Sequence, residues 1–136
     1  MNAQQEQNLR NVARALRESP RPDMFHMGLY GHPCGTPACA LGHYAARPDL
    51  NGGRLVLAEN EEPLRPRWIP RGEMTLTDRL GYIATYCDWI VQYEFGLSGS
   101  EAHALFNGHD GCGGAKTATE AADYIEAFIA RKRATR

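Results

Sequence analysis

The stretch from Asp78 to Phe95 constrains the fold more than any other part of the chain. Placed on a helix, Leu80, Ile83, Ala84, Cys87, Ile90 and Val91 form one apolar stripe. Tyr82, Tyr86, Trp89 and Tyr93 form a second on nearly the opposite side. Asp78, Gly81, Thr85, Asp88 and Gln92 share the narrow polar sector that remains. A helix apolar over most of its circumference needs cover on two sides, so the rest of the chain must supply flanking layers. Thr77 is placed to cap this helix and Gly96 to stop it. Its aromatic stripe is either core or, if left open, a surface for a partner or a second copy of the chain.

The flanking layers also read as helices. Leu9, Val12, Ala13 and Leu16 mark the buried face of a first helix over Ala3–Glu18, which Ser19-Pro20 ends. Pro37 to about Ala46 predicts a second, closed by Pro48 and Asn51-Gly52-Gly53. Ser98 or Ser100 caps a short helix through Leu105 and Phe106, with Asn107-Gly108 as its final turn. Thr117 with Glu120 predicts a capping box for a last helix. That helix buries Ala118, Ala121, Ala122, Ile125, Phe128 and Ile129, and Arg131, Lys132 and Arg133 relieve its dipole. The expectation is an all-α class: a compact bundle of four to five helices in one domain spanning 1–136, with 1–8 and 132–136 free to fray. The irregular, Pro-rich part allows a short β-hairpin within 54–70, pairing Leu55-Val56-Leu57 with Arg67-Trp68-Ile69.

Charge and composition narrow the function classes. Fifteen basic and sixteen acidic side chains give a formal net charge of −1, which argues against a global grip on nucleic acid. No apolar run is long enough to cross a bilayer, and Asn2–Gln7 lacks the layout of a secretory signal. The expected compartment is the cytoplasm, where four cysteines stay reduced. Around Trp68, Arg65, Arg67 and Arg71 face Glu59, Glu61 and Glu62. Mixed charge favours a solvated loop over a recognition surface, although Trp68, Arg65 and Arg67 remain candidates for partner contact.

The most specific chemistry sits in Cys34-Gly35-Thr36-Pro37-Ala38-Cys39-Ala40-Leu41-Gly42-His43. Thr36 suits an N-cap and Pro37 the first helical position, which puts Cys39 in the first turn and His43 one turn later on the same face. Three readings follow. In the first, both cysteines are small packing residues. In the second, Cys34, Cys39 and His43 bind zinc with a fourth ligand from His32, Cys87, His109 or Cys112. In the third, Cys39 is a nucleophile, His43 its base, and Asp49, Asp88 or Asp110 orients the ring. The Gly-rich run from Gly108 to Thr117 departs from a phosphate loop, with Asp110 and Ala115 where its glycines belong. It reads as a mobile connector, with a loose anion nest beside Lys116 as the alternative.

Phe25-His26-Met27, the Cys-Gly-Thr-x-x-Cys core, Phe95-Gly96-Leu97 with Ala102 and Leu105-Phe106, and the closing Thr119–Ile129 helix come in a recognisable order. Over about residues 24–130 the chain resembles a family of small uncharacterised phage, prophage and bacterial proteins. Members often carry tryptophan where this chain has His43, so the family implies no shared metal role there. The resemblance, together with the absence of a convincing catalytic constellation in the sequence, gives the expectation of a phage-type accessory protein that binds a host macromolecule or small ligand without catalysis. A small thiol-dependent enzyme using Cys39 with His43 competes with it, and a zinc-stabilised interaction domain is compatible with both.

Overall fold

The computed structural model describes residues 1–26, 39–53, 55–57, 66–68 and 94–135, with backbone alone for 55–57 and 66–68. The Asp78–Phe95 helix therefore falls outside the described residues except at Glu94 and Phe95, and with it Tyr82, Tyr86, Cys87, Trp89 and Tyr93. Cys34, His32, Thr36, Pro37 and Arg65 also lie outside them, as do the side chains of Arg67 and Trp68.

Helix α1 runs over Ala3–Arg17, and Asn2 caps it by accepting from Gln5 N while the Gln5 side chain accepts from Asn2 N. Leu9, Val12, Ala13 and Leu16 are all buried, as their spacing requires. Each large apolar side chain among them contributes about 2 kcal/mol by leaving water. After a 3₁₀ turn at Pro22–Met24 come α2 (Ala40–Ala45) and α3 (Pro48–Asn51). The last two elements are α4 (Gly99–Ala102), which continues as a π-helical turn over His103–Asn107, and α5 (Ala118–Ala134). Helix α1 packs against α5, α2 and α3. Phe95 joins this core between Tyr44 and Phe106, at ring-centroid distances of 5.6 and 6.1 Å. The class is all-α.

Among the described residues two short strands accompany the helices. Strand β1 (Leu55–Leu57) pairs antiparallel with β2 (Pro66–Trp68), Leu55 opposite Trp68 and Leu57 opposite Pro66, beside α2. The second strand begins one residue earlier than expected, since Pro66 can occupy a strand end where its missing N–H costs no ladder bond.

Several local expectations are corrected. Helix α2 starts at Ala40, and Cys39 is its N-cap, not a first-turn residue. Helix α2 ends before Pro48 as expected, but Pro48 also opens a further helical turn, which Gly52 ends in the left-handed region at φ 69°. Of the two serines expected to cap α4, Ser98 takes the role, in a full box with Glu101. At α5, Thr117 accepts from Glu120 N, but Glu120 reaches back to Lys116 N in place of the cap residue. The basic end of α5 does more than face a dipole: Lys132 pairs with Glu101, and Arg133 forks onto Glu6 at 2.9 and 2.7 Å.

The Gly108–Thr117 segment, expected as a connector, is held by backbone hydrogen bonds of its own. Gly111 N donates to Gly108 O, Gly114 N to Gly111 O and Ala115 N to Cys112 O. A Cβ at Gly113 would overlap Asn107 O, and one at Gly114 would overlap His109 O. The glycines let backbone press on backbone over the end of the π-helical turn.

Candidate functional site

Cys39 and His43 come together through the Cys39 carbonyl. Cys39 Sγ accepts from Gly42 N at 3.3 Å, the bond an N-cap side chain normally makes. Cys39 O accepts twice from His43, from its backbone N–H at 2.9 Å and from ring Nδ1 at 2.8 Å. A carbonyl can only accept, so Nδ1 carries the proton. In the neutral ring Nε2 then holds the lone pair, and Ser19 Oγ lies 2.9 Å from it. The ring is almost wholly buried, at 1% exposure, with the Phe25 ring tilted beside it at 6.2 Å. Ser19 Oγ also accepts from Arg21 N at 3.3 Å.

This arrangement bears on each reading of the cysteine run. A base for Cys39 would have to turn its lone pair to Sγ, and His43 turns it to Ser19. A metal at His43 would displace either the Cys39 carbonyl or the Ser19 hydroxyl. Among the described residues no group of three or more His, Cys, Asp or Glu side chains is placed to hold a metal ion. Asp49 is forked by Arg47 at 2.9 and 2.8 Å, while His109 and Asp110 are exposed on the glycine cap. Cys112 is fully buried and its thiol donates to Ala121 O at 3.7 Å. Burial, with the nearby Cys39 thiol adding to it, pushes the Cys112 thiol up to about 12.

The sequence offered no pointer to Ser19 beyond its position at a helix end. Its partner lies 24 residues further along, and nothing in local spacing announces such a pair. A second buried polar node was equally hidden. Glu94, 3% exposed, accepts from Tyr44 OH at 2.6 Å, and its carbonyl accepts from Asn8 Nδ2 at 2.8 Å. Asn51, also buried, donates to Tyr44 O at 2.8 Å, tying α3 to α2. These bonds satisfy groups that would otherwise carry a desolvation penalty.

The outer surface carries ion pairs between elements. Arg17 on α1 reaches Asp123 at 2.6 Å and Glu126 at 2.7 Å on α5, and its hydrogen bond to Glu126 holds that carboxyl below the usual range. Arg47 bridges Asp49 and Glu18, and lowers both. Among the described residues no helix is long and apolar enough to cross a membrane.

No family model, curated protein or solved structure matches the chain. The functional reading therefore rests on the geometry above and on the sequence pattern.

Proposed function

We propose that this chain is a cytoplasmic accessory protein of phage or prophage type that acts by binding a host macromolecule or small ligand, not by thiol chemistry. The observation that supports this over the thiol enzyme is the orientation of His43. Its proton-bearing nitrogen faces the Cys39 carbonyl and its other nitrogen faces Ser19, so the His43 lone pair is directed at Ser19 and not at the Cys39 thiol. Cys39 serves the fold instead, as the N-cap of α2.

Affinity capture from bacterial lysate, with wild type and Cys39→Ser as parallel baits, tests the reading. Serine keeps an acceptor at the N-cap, so both baits should retain the same species, and calorimetry with that species purified should give the same affinity. Retention of nothing by either bait, or a turnover that vanishes in Cys39→Ser, would overturn it.

A further inference from the structure

We infer that Ser19 and His43 form an acyl-accepting pair, with Ser19 as nucleophile and His43 as its base, acting on activated carboxylic esters. This goes beyond the binding reading but rests on the same orientation of His43, taken for what it offers Ser19. The three-part geometry of an activated hydroxyl is present: Ser19 Oγ is 2.9 Å from His43 Nε2, and His43 Nδ1 is held at 2.8 Å by Cys39 O. The carbonyl takes the role of orienting group, because it fixes the tautomer that presents the Nε2 lone pair to Ser19 Oγ. Ser19 is half-buried between exposed Glu18 and Pro20, whereas the imidazole beside it is buried. A core histidine that needed only satisfaction would be served as well by two backbone groups. Here its basic nitrogen is directed at a hydroxyl on the protein's rim.

The chemistry balances without any further reagent. Ser19 Oγ forms a bond to the ester carbonyl carbon as its proton moves to His43 Nε2. Collapse of the tetrahedral adduct breaks the bond to the leaving oxygen, which takes the proton from Nε2 and departs as the alcohol. Water then gives a proton to Nε2 and attacks the acyl carbon, and Ser19 Oγ leaves with that proton restored. The imidazolium formed in each half is held by the Cys39 carbonyl and lies beside the Phe25 ring.

Treating the full chain with a fluorophosphonate probe and mapping the adduct by tandem mass spectrometry tests the pair, alongside p-nitrophenyl acetate turnover. The expected adduct is on Ser19, and Ser19→Ala should abolish it and lower turnover by about 100-fold. Circular dichroism establishes whether the variant is folded. If Ser19→Ala does not fold, the wild-type adduct map alone decides. An adduct on another residue, no adduct on folded wild type, or equal turnover in folded Ser19→Ala would overturn the inference.

Discussion

His43 and Cys39 show how a residue's chemistry is decided by which of its atoms the fold engages. One carbonyl, that of Cys39, takes both the backbone and the ring of His43, and this holds the imidazole on the helix while the thiol turns to Gly42 N. Removing that thiol acceptor should matter more than replacing it. Cys39→Ala is expected to destabilise the protein by about 1 kcal/mol relative to Cys39→Ser, measured by urea unfolding. Cys112 makes the complementary case. Its thiol is buried and pushed up to about 12, so almost no thiolate exists near neutral pH. Iodoacetamide should modify it only as fast as the protein opens, and peptide mapping with and without denaturant would show the difference. Rapid labelling of Cys112 in native protein would contradict its placement.

At the scale of elements, the glycines divide into those that make close contact possible and those that do not. Gly113 and Gly114 allow the cap to sit on the carbonyls of Asn107 and His109, and no side chain yields there because the obstacle is backbone. Gly113→Ala should therefore cost about 1–3 kcal/mol through forced displacement. Gly99 opens α4, has open space around its Cβ position, and has a negative φ. Gly99→Ala should instead stabilise by about 0.5 kcal/mol by reducing the freedom of the unfolded chain. Thermal melts of the two variants should move in opposite directions from wild type. The same contrast explains why the Gly-rich run reads as mobile in sequence: glycine spacing carries flexibility and close packing alike, and only the apposed carbonyls distinguish them.

For the whole molecule, the ion pairs set the response to acid. Glu126 is lowered by its bonds to Arg17, Glu101 chiefly by Lys132, and Glu18 and Asp49 by Arg47. A carboxyl whose folded value is depressed contributes stability above its unfolded value and loses it as pH falls through the folded value. The melting temperature should accordingly hold near neutrality and fall as pH drops below the usual carboxylate range. Most of these pairs are solvent-exposed, so raising salt at pH 7 should lower it only slightly. The better sheltered contact is Glu6 with Arg133, which joins positions 127 residues apart. Glu6→Gln with Arg133→Gln in a double-mutant cycle should show a coupling of about 1 kcal/mol, readable from urea midpoints. Zero coupling would reduce the fork to a surface contact.

Sequence alone determined whatever depends on neighbours along the chain. The apolar stripe of α1, the Ser98 cap with Glu101, the Thr117 cap and the buried face of α5 were all legible, because helix periodicity and capping act over three or four residues. The Leu55–Leu57 strand was legible for the same reason, with its partner displaced by one residue. Tertiary structure alone decided what His43 Nε2 faces, because Ser19 lies 24 residues earlier in the chain. It likewise decided that Glu94, Tyr44, Asn8 and Asn51 share a buried network, and that Lys132 and Arg133 close onto Glu101 and Glu6. Each of these bonds joins groups on separate elements, and burial sets its value; neither distance nor burial is written in local spacing.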